Sequence, residues 1–495
     1  MREKFHPETF SLFFIVFLCS YVILIITLME EVLMENRDDN KIDSISINTM
    51  TEGSPLKIIL TFAFPMLVGN VLQQLYNMVD SIVVGNYVGK LALAAVGTGF
   101  PIIFMMAAMF IGLGIGATIL ISQYIGAGDM ESVRKTSQTI YSAMIIGSIP
   151  ISIIGMFLSK PILLLINTPA DALPMANTYM MIIFAGMIGS VGYNVNAGIL
   201  QGFGDSKSSL LFLAIATVIN IVLDLVFVIV FHWGVAGVAI ATIIAQTASW
   251  IFGIVYMRNK YEVLRFSILK LSFDKEIFKK ILKLGVPTGI QQMLFSIGIM
   301  SLQSLVNSYG SDFIAGFNAA NKIDTFAFMP IQSFSNAVTT FTGQNIGARR
   351  MDRVHQGTVT AVGLSVAVCI VCLIIIPLGP YLLRMFNSDP AVIESGMIYL
   401  NSVMPTIAIL AVVFVINAVI RGAGESIIPM IGAIVSLWLG RIPAAYFIAS
   451  KFGKEYIFFS YAVGWLFWLL ISGPYYASGR WKKKSERLLD NVIIE

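Results

Sequence analysis

Asp80 and Asp224 each lie inside a long apolar stretch. An ionisable group in such a stretch marks a functional site by default, because its desolvation has to be offset by partners or by an exchangeable ion. Asp80 closes the string Gln73-Gln-Leu-Tyr-Asn-Met-Val-Asp80. On a helix, Tyr76 and Asn77 share its face at four and three residues' separation. Asp224 closes Asn220-Ile-Val-Leu-Asp224, with Asn220 one turn back. Asn194 and Thr242, in the neighbouring apolar stretches, add neutral oxygens to the same half of the chain. Two carboxylates among amide and hydroxyl oxygens can carry a proton or, with both ionised, hold Na+. The plainer alternative is a pair of acids satisfied by helix–helix hydrogen bonds, a task that a single Asn or Ser performs with less desolvation.

The second half has Asp324, in Asn321-Lys-Ile-Asp324, and Arg441. Lys322 is expected to pair with Asp324 near a membrane interface. For a substrate, the 25 Met, 34 Phe and 17 Tyr matter. Most of them pack helices or face lipid, but polarizable Met and aromatic faces suit flat organic cations. Gln73, Tyr76, Asn77 and Gln291, with Asp324 and Arg441, are the candidate cavity residues, and Gln74 is a further polar neighbour. Other chemistry finds little support. Cys369 and Cys372 form a C-x-x-C inside the apolar run 366–376, outside any redox-motif context. His6, His232 and His355 are far apart, and no nucleophile–base pair is evident. The chain reads as a non-enzyme without a cofactor, and with no metal beyond Na+ at the coupling site.

These residues must be positioned by helices in a bilayer. Of 495 residues, 57% are hydrophobic and 12% charged, about half the charge of a soluble protein. Twelve spans need roughly 240 apolar residues, and the composition supplies them. The spans read as 56–84, 91–123, 139–158, 175–200, 209–231, 235–257, 284–308, 313–344, 357–380, 391–420, 428–450 and 456–476. Pro65, Pro101, Pro287, Pro330 and Pro405 are the candidate kinks, with Pro65 the candidate hinge. If the loop after the second span is cytoplasmic, the inner loops and tail hold 20 Lys and Arg and the outer loops 5. The positive-inside rule then places both ends of the core in the cytoplasm. The net charge of +4 sets orientation here and forms no stripe for nucleic acid.

The division expected is an extension over 1–55, a first lobe over 56–257, a basic cytoplasmic linker over 258–283, a second lobe over 284–476 and a basic tail over 477–495. The extension has an apolar segment, 10–29, and an acidic stretch with seven acids and two bases over 30–54. A thirteenth span there would invert the core against its charge bias, so the extension is read as an appendage. Met34 and Met50 are alternative starts.

The halves repeat. Pro65 matches Pro287, Ser122-Gln-Tyr-Ile-Gly-Ala127 matches Gly343-Gln-Asn-Ile-Gly-Ala348, and Leu200-Gln-Gly-Phe-Gly-Asp205 matches Ile420-Arg-Gly-Ala-Gly-Glu425, at offsets of 222, 221 and 220. Six spans per half give both lobes one orientation, a pseudo-twofold axis along the membrane normal, and a central cavity. Asp80 has Leu302 as its counterpart and Asp224 has Ala444, so the fold does not demand these acids. The site is asymmetric.

At this point the chain resembles the multidrug and toxic compound extrusion (MATE) family of cation-coupled exporters. The resemblance is carried by Pro65, Asp80-Ser-Ile-Val-Val-Gly85, Gln123-Tyr-Ile-Gly-Ala127, Gln201-Gly-Phe-Gly-Asp205, Asn220 with Asp224, and Gln344-Asn-Ile-Gly-Ala348, and it runs from about Met50 to the tail. It implies an all-α polytopic membrane protein with twelve helices in two six-helix lobes, of the MOP flippase-like plan. It also implies antiport of drug-like organic cations against H+ or Na+, by a monomer in the plasma membrane. The family's N-lobe cation site falls on Asp80, Asn194, Asn220, Asp224 and Thr242. One branch carries a glutamate nine residues after the seventh-span proline, where this chain has Ser296. That branch also has a tenth-span acid, and none lies between Met397 and Ile420. The resemblance is therefore to bacterial members lacking the C-lobe sodium site. A lipid-linked oligosaccharide flippase is the rival reading; it calls for a basic cavity, and the spans hold few Lys or Arg. A membrane sensor or scaffold would need a soluble domain, but the longest loop is about 26 residues.

Overall fold

The computed structural model describes residues 49–266 and 272–485. The expected apolar segment 10–29, most of the acidic stretch and the last part of the basic tail lie outside the described residues. Every regular element among the described residues is helical. The spans in order are Pro55–Val83, Lys90–Ala127, Met130–Leu165, a bent pair Leu173–Ala185 and Met187–Gly202, Ser206–Leu225, Gly234–Lys260, Lys275–Asn307, Ser311–Gly347, Met351–Cys372, a broken pair Pro390–Val403 and Ile407–Gly422, a pair Ile427–Val435 and Ile442–Phe452, and Ser460–Ala477. Among the described residues, nine spans are long and apolar enough to cross a membrane, and the bent fourth makes a tenth. The seventh and eighth are the least apolar. The eighth buries Ser333, Ser335, Thr339, Thr340, Gln344 and Asn345 against other helices rather than lipid.

Local chemistry explains the helix starts. Asp129, Asp205, Asp274 and Asp389 each accept a backbone N–H in the first turn of the helix that follows, as an N-cap should. Pro65, Pro101, Pro287 and Pro330 lie within continuous helices, whereas Pro405 sits in the 3-10 turn Met404–Thr406 that splits the tenth span. The fourth span bends by 53° between its halves. The break falls at Gly186, which packs against the Ile243 side chain. Three π-helical turns interrupt the first, fifth and eleventh spans, at Val84–Val88, Val226–Val230 and Ser436–Arg441.

Each half has its own apolar core, one drawing on the second to seventh spans and the other on the seventh to twelfth. The halves meet along a seam built from the repeated motifs. Gly112 and Gly116 of the second span lie against Gly289 and Gly285 of the seventh, backbone on backbone. Small residues permit this close approach between spans. Further along, Gly126 abuts the main chain of Gln344, and Gly347 abuts that of Gln123. The two glutamines cross over. Gln123 Nε2 donates to the Gly422 carbonyl at 2.8 Å, and Gln344 Nε2 donates to the Gly202 carbonyl at 3.2 Å. Met50 joins the same end: its N–H donates to Gln344 Oε1 at 2.7 Å, and its carbonyl accepts from Asn345 and Arg353.

A Cβ at position 126 would overlap the Gln344 backbone, which cannot swing aside. Gly126→Ala is therefore expected to destabilise the seam by about 1–3 kcal/mol, read as a lower Tm in detergent. Gly97→Ala, in the same span with open space around it, should leave Tm unchanged. Equal melting of the two variants would refute the packing argument.

Candidate functional site

The first, fifth and sixth spans bring four of the five predicted ion-site residues, and Tyr76 of the predicted cavity set, together in the first half. Asp224 is fully buried and Asn220 is 1% exposed. The Asp80 and Asp224 carboxyls lie within hydrogen-bonding reach of each other. With its amide oriented to satisfy both ends, Asn220 Nδ2 donates to Asp80 Oδ1 at 3.0 Å and its Oδ1 accepts from the Thr242 N–H at 3.3 Å. The Tyr76 hydroxyl lies between Asp80 and Thr242, 3.4 Å from Thr242 Oγ1. The 3.6-residue period of the first span accounts for this, since Tyr76 and Asp80 are one turn apart.

Asp224 Oδ1 is buried and has no hydrogen-bond donor, and no Lys or Arg acts on either carboxyl. A buried Asp224 and a half-buried Asp80 without a basic partner among the described residues carry charge that a mobile cation can neutralise. Beside them lies a cavity of about 20 Å³, lined in part by Gln73, Tyr76, Tyr193, Thr217, Asn220 and Gln246, about the room one water needs. The arrangement offers carboxylate, amide, hydroxyl and phenol oxygens, a set that suits a proton or a hard monovalent ion. No group of three or more His, Cys, Asp or Glu side chains converges among the described residues.

Most of the other predicted residues have local partners of their own. Asn194 Nδ2 donates to the Ser190 carbonyl of its own helix at 2.8 Å. Asn77 Nδ2 donates to Gln74 Oε1 at 3.3 Å. Gln291 is buried in the seventh span with Oε1 unpartnered. Asp324 is bonded to Tyr399, at 2.9 Å from its hydroxyl, rather than to Lys322, whose ammonium lies over the Phe386 ring. Arg441 is near Asp324, across two tyrosines. Sequence reading missed Tyr179, a fourth-span phenol close enough to feel both Asp80 and Asp224. The available signal was its repeat counterpart: Tyr179 and Tyr399 stand 220 residues apart, and each faces its own lobe's carboxylate.

The geometry has recognisable relatives. A family model described as MatE matches residues 65–226 and 287–447, one match in each half. The chain is 33% identical over 433 residues to the probable multidrug resistance protein YpnP of Bacillus subtilis (strain 168), covering 87% of this chain and 97% of that protein. It is 26% identical over 446 residues to the probable multidrug resistance protein NorM of Thermotoga maritima, covering 87% and 94%. Among solved structures, its fold matches a MOP superfamily transporter from Pyrococcus furiosus with a TM-score of 0.83 at 24% identity, over 90% of this chain and 99% of the other.

Proposed function

Because the chain belongs to the MATE family, as a multi-pass membrane protein of two six-helix lobes, we propose that it exports drug-like organic compounds, coupled to inward movement of H+ or Na+. The observation that carries this reading is the Asp80–Asp224 pair, half-buried and buried within one lobe, with no basic partner among the described residues. Relatives named as multidrug resistance proteins support the substrate class. The 20-to-5 excess of basic residues supports a cytoplasmic position, in a plasma-membrane protein, for the crossed-glutamine end of the seam. In that reading the lobes meet on the cytoplasmic side. Asp80 lies about 25 residues beyond Pro55, the start of the first span, roughly 37 Å along the helix.

Coupling requires that ion and substrate prefer different states. A cation between Asp80 and Asp224 draws the first span toward the fifth. Pro65, which removes one backbone hydrogen bond from the first span, is where that span can flex. The substrate class that fits this reading is an organic cation, held by aromatic and Met side chains between the lobes. An imposed-gradient assay tests this. In liposomes holding the purified protein, labelled ethidium should accumulate only when an opposing pH or Na+ gradient is applied. Accumulation indifferent to both gradients would overturn the coupling, and none under any gradient the export.

A further inference from the structure

The second lobe holds a half-buried pair of charged residues around two buried tyrosines that this exchange cycle does not use. Asp324 of the eighth span accepts from the Tyr399 hydroxyl of the tenth at 2.9 Å. Tyr461 of the twelfth packs edge-on against Tyr399, with ring centroids 5.7 Å apart, and Arg441 of the eleventh lies on its other side. The Arg441 guanidinium lies 3.4 Å from the centroid of the Tyr461 ring, and its Nε is buried without an acceptor. Tyr399 is fully buried and Tyr461 is 7% exposed. Cys372 of the ninth span is the remaining titratable group facing Asp324. The cluster thus places a carboxylate and a guanidinium on either side of two packed tyrosines.

The repeat gives this cluster meaning. At the offset of 220, Tyr399 is the counterpart of Tyr179, the phenol near the first lobe's acids. Asn220, the amide that donates to Asp80, has Gly440 as its counterpart, and the next residue is Arg441. Arg441 also ends the π turn Ser436–Arg441, and such turns recur at functional positions. The lobes therefore share an acid, a phenol and a donor from the fifth or eleventh span. They differ in charge. The first has two acids and no base; the second has one acid and one fixed base.

We propose that Arg441 is a tethered counter-ion to Asp324, taking in the second lobe the place that a mobile cation takes in the first, so that only the first lobe exchanges an ion. The physical ground is that a buried carboxylate must be neutralised by something, and a side chain does so without being released. The proposal rests on the exchange reading for the first lobe, but its test does not. In detergent-purified Asp80→Asn/Asp224→Asn protein, the first lobe can bind no ion through its carboxylates. Adding Arg441→Gln should create a new site in the second lobe. It is expected to give about one extra equivalent of H+ released between about pH 7 and pH 9, or of labelled Na+ bound at the higher pH.

Adding Asp324→Asn on top should remove that equivalent, and Arg441→Lys should never produce it. A merely structural Arg441 would change stability in the same variants without creating an ion equivalent that depends on Asp324. No extra equivalent in folded Arg441→Gln protein, or one that survives Asp324→Asn, overturns the proposal. If Arg441→Gln alone does not fold, Asp324→Asn should restore folding, since the lobe is then neutral again; failure to restore it also overturns the proposal. The ion equivalents lost from the parent protein on Asp80→Asn/Asp224→Asn are a separate reading, and they test the first lobe alone.

Discussion

Asp80→Asn and Asp224→Asn are each expected to lower gradient-driven efflux by about 100-fold or more in vesicles, while leaving the protein folded. Asparagine keeps the shape and the hydrogen-bonding reach of the carboxyl, so Asn220 and Tyr76 retain a partner at position 80. What it removes is the charge that a cation neutralises. Coupling between sites commonly amounts to about 1–3 kcal/mol, or roughly 5–150-fold, and loss of one carboxylate removes the ion's side of that coupling. Substrate exchange at equal concentrations on both sides should continue in the same variants, because it needs the cavity and the seam but not the ion. Gradient-driven transport that survives both substitutions together would sink the assignment. Loss of the gradient-free exchange as well would point to damaged folding.

A comparably large effect, on stability rather than transport, is expected at Asp205. This residue is 5% exposed. One oxygen accepts the Ser208 N–H at 3.0 Å; the other accepts from the Ser208 hydroxyl at 2.6 Å, from Tyr261 at 2.7 Å and from Lys260 at 3.0 Å. It therefore caps the fifth span and ties it to the end of the sixth. Asp205→Ala leaves the half-buried Lys260 ammonium and several donors without their acceptor. Removing one partner of a buried pair costs about 3–5 kcal/mol, so a fall in Tm and in detergent-soluble yield is expected. Burial pushes the Asp205 carboxyl up, but Lys260, Ser208 and Tyr261 together outweigh it and hold the group below its ordinary value. Its contribution is accordingly complete above the ordinary carboxylate range and lost only as pH falls below about 4. The Tm gap between the parent and Asp205→Asn should be constant from about pH 6 to pH 8 and close toward acid. A gap that widens toward acid would contradict the ion-pair account. The second lobe repeats the tie with Glu425, the counterpart of Asp205, and Lys484 beyond the twelfth span.

The spans were legible because a bilayer demands long apolar runs, and few other structures need them. The acids were legible for the same reason: Asp80 and Asp224 stand out where charge is scarce. Their convergence with Asn220 and Thr242 followed from helical spacing within the first and fifth spans and from the family resemblance. Tyr179 was hidden because a tyrosine in an apolar helix looks the same whether it faces lipid or a carboxylate. The bend at Gly186 was hidden because glycine is common in membrane helices and only the opposing Ile243 side chain makes this one a break. Lys322 misled, since closeness in sequence suggested a pair, while two residues on a helix point to different faces. The π turn Val226–Val230 left no composition signature and reads as ordinary apolar helix, whereas Val84–Val88 runs from the end of the first span as read into the connection after it.

The crossed glutamines at the seam also set a scale for how readily the molecule can open. Each is an amide on a main-chain carbonyl, and such bonds contribute about 0.5–1.5 kcal/mol net apiece. Together they add roughly 1–3 kcal/mol to the closed arrangement, a factor on the order of 5 to 150, on top of the glycine packing of the same seam. A ligand that opens the lobes must prefer the open form by more than that factor. The glutamine pair is therefore one graded part of a threshold that a selective ligand has to exceed.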